Sequence, residues 1–182
     1  MNRSIFACLS RSVALAAALL LCAYAPVTAG VDPADFFEPT FHDLPEELAM
    51  AARDGKRLVI MFEQEGCPFC WKMRRDVLNK KEVHDYYHKL FRVIQMDIRG
   101  SLPVVDFDGN TTTQKEFSIA QNVRHTPVFI YYGEDGKELH RLIGFYSKKE
   151  FLLSGKYVES GAYATDDFFL WLKKRTTGGS GE

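Results

Sequence analysis

Apolar residues along the chain fall into short runs separated by turn residues, a pattern that predicts an α/β fold. Residues 57–62 and 128–132 are nearly continuous apolar runs of strand length, as expected for strands buried on both faces. Around Ile94, Met96 and Ile98, apolar and polar residues alternate, which indicates another strand.

Two stretches rich in turn residues predict reversals of the chain. Residues 134–137 read Glu-Asp-Gly-Lys, so residues 138–143 are expected to pair with the strand at 128–132 as a hairpin. Residues 100–113 contain Asp108-Gly109 and are expected to form a loop or a small hairpin.

Capping pairs and apolar stripes place helices between the strands. Pairs with N-terminal cap spacing precede three predicted helices: Asp43 and Glu46, Asn79 and Glu82, and Ser147 and Glu150. A further helix is expected around residues 114–122. Two predicted helices carry apolar stripes, formed by Val83, Tyr86, Tyr87 and Leu90 and by Phe168, Phe169 and Leu172. This order of elements predicts a mixed central sheet flanked by helices.

Two cysteines, Cys67 and Cys70, directly follow the first predicted strand and precede a helix-like stretch. The intervening Pro68 and Phe69 let both sulfurs lie at the first turn of a helix, where unpaired N–H groups and the helix dipole stabilise a thiolate. The sequence therefore predicts a dithiol/disulfide redox site. We expect Cys67 to be the attacking thiol and Cys70 to resolve the mixed disulfide.

The first 29 residues predict export from the cytoplasm. Arg3 and Arg11 form a basic region, and residues 13–22 form an apolar region too short to span a bilayer. Small residues then predict cleavage after Ala29, which places the mature protein in the periplasm. Lipid attachment at Cys22 is the alternative interpretation.

Cleavage would leave residues 30–182, for which we expect a single domain with a flexible Gly-rich tail. Only Cys67 and Cys70 would remain, so the fold cannot depend on a separate disulfide scaffold. The chain is 46% hydrophobic, which is enough for an ordinary core. It has 23 Lys and Arg against 24 Asp and Glu, and this balance indicates no nucleic-acid partner.

The paired cysteines and the later Thr126-Pro127, directly before the strand at 128–132, resemble the thioredoxin superfamily. The resemblance implies a thioredoxin-like mixed sheet flanked by helices. It also implies a cis peptide at Pro127 that faces the cysteines, next to a backbone segment that binds the substrate chain as an added strand. No cofactor is implied beyond the redox-active disulfide Cys67–Cys70.

One position departs from the thioredoxin pattern. Thioredoxin has a buried aspartate that accepts the proton of the resolving thiol, and this chain has Met61 there. Methionine cannot carry a proton, so Glu63 or Glu65 is the candidate base. The alternative is that both are solvated acids of a loop.

Four sequence blocks resemble more closely the exported thioredoxins of bacterial sulfur-oxidation (Sox) systems, the SoxW type. They are residues 63–70, 96–100, 106–109, and 157–158 followed by 161–163. This resemblance implies a periplasmic reductase that keeps the cysteine of a sulfur-carrier protein, or related thiols, reduced. Its electrons would come from a membrane thiol transporter of the CcdA/DsbD kind. A periplasmic oxidase or isomerase of the Dsb type is the alternative.

A metal site is an alternative from a different class. Cys67, Cys70, His84 and His88 have the spacing of a Cys2His2 zinc site. However, the chain is long enough to fold without metal, and zinc would leave Thr126-Pro127 unexplained. We therefore expect no metal, with both histidines on a solvated helix face. A non-catalytic thioredoxin-like adaptor is a third interpretation.

Further residues near the motif have open roles. Trp71 is expected either to shield the sulfurs and dock a partner or simply to pack. His125 either contacts the substrate or is an ordinary exposed loop histidine. The loop at 106–113 either contacts a partner or is a variable insertion.

Overall fold

The computed structural model describes residues 32–177, which form a four-stranded sheet and a small separate hairpin. The strands are β1 (Arg57–Glu63), β2 (Phe91–Asp97), β3 (Pro103–Val105), β4 (Thr111–Thr113), β5 (Val128–Tyr132) and β6 (Glu138–Ile143). The large sheet has the order β2-β1-β5-β6, with β2 parallel to β1 and the β1–β5 and β5–β6 pairs antiparallel. Strands β3 and β4 form the hairpin.

Helices cover both faces of the large sheet. The α-helices are α1 (Leu44–Arg53), α2 (Pro68–Met73), α3 (Lys81–Leu90), α4 (Gln114–Ala120), α5 (Lys148–Glu159) and α6 (Phe168–Thr177). A π-helical turn, Arg74–Leu78, continues α2. The predicted α/β architecture, a mixed central sheet flanked by helices, is confirmed.

The sheet separates two hydrophobic clusters. On β1, Val59 and Met61 belong to the cluster under α2, α3 and α5, and Leu58, Ile60 and Phe62 belong to the cluster under α1 and α4. Side chains of a strand alternate between faces, so a strand covered on both faces is apolar throughout. This explains why β1 and β5 are continuous apolar runs in the sequence.

Several predicted elements agree closely with the structure. Strands β5 and β6 have the predicted bounds, β1 extends one residue further to Glu63, and residues 100–113 contain the hairpin. Ser147 and Glu150 form the predicted reciprocal capping box of α5. At α1, the Asp43 side chain accepts a hydrogen bond from the N–H of Glu46.

Two local predictions were wrong. Asn79 does not cap α3, because the π-helical turn carries the preceding helix one step further and Lys80 takes the cap position. The N–H of Asn79 instead donates to the carbonyl of Arg74 at 3.1 Å. In α6, Phe169 is exposed and Trp171 is buried beside Phe168, since the helix turns a different face to the core than the predicted stripe.

Other predictions fall on residues outside the described range. The leader, its cleavage after Ala29, lipid attachment at Cys22 and the Gly-rich tail all belong to this group. No helix within residues 32–177 has the length and apolar content needed to cross a membrane.

Candidate active site

Cys67 and Cys70 lie at the start of α2, shortly after the end of β1, and are joined by a disulfide. Gly66, with φ +72°, turns the chain between the two elements. Cys67 is the N-cap of α2, and the N–H of Cys70 donates to its Sγ at 3.0 Å. Cys67 is 8% exposed and Cys70 3%, so the first cysteine is the more accessible one.

The start of β5 reaches the disulfide from the neighbouring strand. The Thr126–Pro127 peptide is cis, in agreement with the resemblance. The carbonyl oxygen of Thr126 lies 3.5 Å from the Sγ of Cys67. Pro127 is buried, and its own carbonyl accepts a hydrogen bond from the N–H of Gly144 at 2.8 Å. Two segments far apart in sequence therefore meet at one sulfur.

A shallow cavity of about 400 Å³ opens beside the sulfurs. Its lining includes both cysteines, Pro68, Trp71 and the Glu63–Arg74 pair. Next to it, Phe69 and Trp71 are 58% and 61% exposed. The Arg75 guanidinium lies 4.4 Å from the centre of the Trp71 ring. These two rings give the rim of the site exposed apolar area that a partner protein can cover.

Of the two candidate bases, only Glu63 lines the cavity that contains the sulfurs. Arg74 donates to its carboxylate twice, from Nε at 3.2 Å and from Nη2 at 2.6 Å, and Nη2 also donates to Oε1 of Gln95 at 2.8 Å. Glu65 is exposed to solvent. Met61 is fully buried in the core, where it cannot exchange protons.

Sequence reasoning did not identify Arg74. It lies in the π-helical turn after α2, one helical turn beyond Cys70. A basic residue four positions after the second cysteine is a weak signal by itself, because helix surfaces commonly carry arginines. Only the fold shows that it faces Glu63.

The histidines of the zinc alternative lie on α3 and pack against Phe36. The expected solvated helix face is therefore wrong, since their side chains are only 21% and 26% exposed. Their rings stack on each other with centroids 4.0 Å apart, and His88 Nδ1 lies 3.6 Å from a Glu38 carboxylate oxygen. Among residues 32–177, no group of three or more His, Cys, Asp or Glu is arranged to hold a metal ion. The structure therefore does not bring the four residues of the Cys2His2 set together.

His125 is exposed and directly precedes Thr126. The loop at 106–110 is held by hydrogen bonds within it, because the Asp106 carboxylate accepts from the N–H groups of Asp108 and Asn110. These hydrogen bonds lower the pKa of Asp106, with the Asn110 N–H as the main cause. The loop is thus ordered by its own contacts.

The geometry can support one kind of chemistry directly, the exchange between a dithiol and a disulfide. Two sulfurs can form or break a single bond, and Cys67 is the more exposed of the two cysteines. A helix N-terminus stabilises negative charge on sulfur there. This fold and its cysteine pair define the class of thioredoxin-fold thiol-disulfide oxidoreductases.

Comparison with known proteins supports this assignment. The family model of the thioredoxin-like domain matches residues 44–159, and the chain belongs to this family. No curated protein sequence matches the chain.

Solved structures show the same fold. A thioredoxin-fold protein from Helicobacter pylori is 23% identical, with a TM-score of 0.56, covering 68% of this chain and 82% of that one. A putative disulphide isomerase from Bacteroides thetaiotaomicron is 22% identical, with a TM-score of 0.55 and coverages of 76% and 98%. A thioredoxin from Thermus thermophilus is 27% identical, with a TM-score of 0.52 and coverages of 64% and 84%.

Proposed function

We propose that this protein is a periplasmic thiol-disulfide reductase that keeps the thiol of a partner protein reduced. The observation that carries the proposal is the Cys67–Cys70 disulfide at the start of α2, with the more accessible sulfur against the Thr126 carbonyl. The more exposed N-terminal cysteine and the more deeply buried second cysteine suit a nucleophile and a resolving thiol, respectively.

The reaction begins from the reduced dithiol. The Cys67 thiolate attacks one sulfur of the partner disulfide, so a mixed disulfide forms and the other partner sulfur leaves as a thiolate. Cys70 then loses its proton and attacks the Cys67 sulfur. The second partner sulfur leaves, and Cys67 and Cys70 end as a disulfide, having given two electrons to the partner.

Glu63 is the group proposed to accept the proton of Cys70. It lines the same cavity as both sulfurs, and Arg74 holds its carboxylate in place. Arg74 positions the carboxylate and touches neither the partner nor the sulfurs in the reaction as proposed. Thr126 and Pro127 form the backbone edge against which the partner chain would lie.

The direction, location and partner rest on the sequence. The leader-like N-terminus supports export, and the SoxW-like blocks support a reductase that serves a sulfur-carrier protein. Electrons would reach the disulfide from a membrane thiol transporter of the CcdA/DsbD kind. Because the periplasm is kept oxidising, a carrier cysteine that must stay free needs a reductant of its own.

The test uses the reduced protein and a carrier protein whose cysteine is blocked as a disulfide. We expect release of the carrier thiol at a higher rate than reduction of a generic disulfide protein such as insulin. Cys67→Ser should abolish release, and Cys70→Ser should trap the mixed disulfide. Oxidation of unfolded dithiol substrates, with the blocked carrier left untouched, would instead support the Dsb-type alternative.

A further inference from the structure

The cavity of about 400 Å³ beside the sulfurs enters the proposed reaction through Glu63, and the rest of its wall has no role there. That wall includes Pro68 and the ring of Trp71, next to the two cysteines. Among its described lining residues only Glu63 and Arg74 are charged, and they pair with each other at 2.6 Å. The cavity therefore combines apolar walls with a compensated pair of charges, and its volume lies in the range of about 300–1,000 Å³ that is typical of ligand sites.

Trp71 lines this cavity and is nevertheless largely exposed. The same side chain lines a neighbouring cavity of about 350 Å³, together with Arg75 and Asn79, neither of which lines the first cavity. The indole ring therefore separates the two spaces. A large apolar ring held in solvent beside a reactive sulfur is suited to be covered by another molecule.

An ion pair holds the ring from the side away from the sulfurs. The Arg75 guanidinium lies 4.4 Å from the centre of the Trp71 ring and lines only the neighbouring cavity. The Asp76 carboxylate in turn accepts hydrogen bonds from Arg75, from Nε at 2.6 Å and from Nη2 at 2.8 Å. The wall is thus ordered before a ligand arrives, which lowers the entropy cost of binding.

The partner protein is the molecule that must cover this cavity. In the mixed disulfide its cysteine is bonded to Cys67, and Cys67 itself lines the cavity. The Thr126–Pro127 edge does not line it, so the partner backbone can lie on that edge while one of its side chains enters the cavity. In an extended chain, adjacent side chains point to opposite faces and side chains two residues apart point to the same face. The side chain that enters is therefore two residues before or after the partner cysteine.

The lining selects for an apolar side chain at that position. Contact with Pro68 and the Trp71 ring removes apolar surface from water, which is favourable. A charged side chain would lose its hydration and would find Glu63 and Arg74 already paired with each other. An amide would lose hydrogen bonds to water and gain less from the apolar contact.

We infer that this cavity binds an apolar side chain, of about the size of leucine, two residues before or after the partner cysteine that bonds to Cys67. The inference rests on the proposed function, because it concerns the protein substrate of the same exchange reaction. Trp71 thereby determines specificity. Arg75 and Asp76 position its ring without touching the partner.

The test measures single turnovers of the reduced protein with disulfide-linked peptide dimers. Both halves of each dimer are identical, so attack on either sulfur presents the same neighbouring residues. The peptides carry Leu, Asn or Asp, three side chains of similar shape, at each position within two residues of the cysteine. Two residues from the cysteine, on one side of it, we expect the second-order rate constant to be about tenfold higher for Leu than for Asn, and lower still for Asp. At the adjacent positions Leu and Asn should react within about twofold of each other. Acid quenching followed by chromatography measures these rates.

Trp71→Ala removes the wall and should reduce the preference for Leu over Asn to about twofold or less, whereas Trp71→Phe keeps an apolar ring and should keep most of it. Phe69→Ala is the matched control, because Phe69 is similarly exposed but does not line the cavity. Its loss should leave the ratio of the two rates unchanged. Arg75→Gln removes the guanidinium behind the ring and should lower the ratio partly. Thermal unfolding confirms that the variants are folded.

Equal rates for Leu and Asn at every position, a preference confined to the adjacent positions, or one that survives Trp71→Ala would overturn the inference. Loss of the preference in Phe69→Ala would overturn it too, because the preference would then come from general apolar area around the sulfurs. Failure to reduce any peptide would instead count against the proposed reductase.

Discussion

Cys67 and Cys70 are chemically identical side chains in unequal surroundings. Cys67 caps α2, lies against the Thr126 carbonyl and receives the N–H of Cys70, while Cys70 is almost completely buried. Access and the helix N-terminus both favour reaction at the first sulfur.

We therefore predict that limited alkylation of the reduced protein labels Cys67 first. Iodoacetamide at a substoichiometric amount, followed by peptide mass spectrometry, measures the ratio of the two products. Unfolding in guanidinium should make the two rates similar, because it removes the difference in access. Preferential labelling of Cys70 in the folded protein would reverse the proposed roles.

Glu63 and Glu65 form a natural pair for testing the proton acceptor. Glu63 shares a cavity with the sulfurs, and Glu65 is a solvated acid two residues away. We predict that Glu63→Gln slows resolution of the mixed disulfide at neutral pH at least about tenfold, whereas Glu65→Gln has little effect.

Stopped-flow fluorescence of single turnovers separates attack by Cys67 from resolution by Cys70. The defect of Glu63→Gln should shrink as the pH rises, because hydroxide and solvent then remove the proton of Cys70. A pH-independent defect would indicate that Glu63 acts only through its ion pair with Arg74. Arg74→Gln removes the same ion pair but keeps the Glu63 carboxylate, so it shows the effect of the ion pair alone.

At the scale of elements, β6 is joined to α5 and α6 by an aromatic cluster around His140. Its ring lies 4.9 Å from Tyr157 of α5 and 4.7 Å from Phe168 of α6, measured between ring centroids. Burial lowers the pKa of His140 to about 4, although the carboxylates of Glu138 and Asp167 act in the opposite direction. The ring is therefore neutral in the folded protein at neutral pH.

A histidine with a lowered pKa in the folded state makes stability depend on pH. Between the unfolded value of about 6.5 and the folded value of about 4, the unfolded chain binds more protons, so the free energy of unfolding falls as the pH falls. We predict a loss of about 2 kcal/mol from His140 between pH 7 and pH 5.

Urea unfolding at several pH values measures this effect. His140→Phe should flatten the dependence between pH 7 and pH 5, since the ring can still pack among the aromatic side chains but cannot be protonated. His125→Gln, a change at an exposed histidine, is the control and should leave the dependence unchanged. An unchanged slope in His140→Phe would contradict the assignment.

Elements were predictable from the sequence where the signal was local. β1, β5, β6 and the cap of α5 follow from apolar runs, turn residues and a capping box, which act within a few residues. The π-helical turn was not predictable, because its sequence resembles ordinary helix. It displaced the predicted cap at Asn79 by one position.

Only part of the candidate site was predictable from the sequence. The cysteines and Thr126-Pro127 have recognisable spacing, so their meeting could be expected from the resemblance. Arg74 could not be expected, because its role comes from its contact with Glu63 on a different element of the fold. No local pattern records such contacts.

At the scale of the whole molecule, a buried chain of hydroxyl groups lies in the core between the sheet and the helices α3 and α5. Ser154 donates to the hydroxyl of Tyr131 at 3.1 Å, and the hydroxyls of Tyr131 and Tyr87 lie 2.6 Å apart. Tyr87 in turn donates to the carbonyl of Phe151 at 2.7 Å. These bonds connect α3, β5 and α5 within one cluster of the core.

We predict that Tyr87→Phe lowers the free energy of unfolding by about 1–3 kcal/mol, because it leaves buried polar groups without partners. Tyr86→Phe is the matched control, since among the described residues its hydroxyl donates only to the exposed Glu159, and its loss should cost less than about 1 kcal/mol. Guanidinium unfolding measures both. The rate of disulfide exchange should be the same in both variants, since neither hydroxyl takes part in the proposed reaction.

The register between β1 and β5 determines where the chain tolerates changes of length. Phe62 pairs with Val128 at the end of the sheet that carries Cys67 and Thr126, and Leu58 pairs with Tyr132 at the opposite end. One residue added within β1 would shift the end of the strand by about 3.4 Å relative to the Thr126 carbonyl and reverse the face to which each following strand residue points. The turn after Tyr132 packs against Phe107 but contains no residue of the candidate active site. Loops, tags or whole inserted domains can therefore be accepted there, and related chains are expected to vary in length at that end while keeping the spacing at the other.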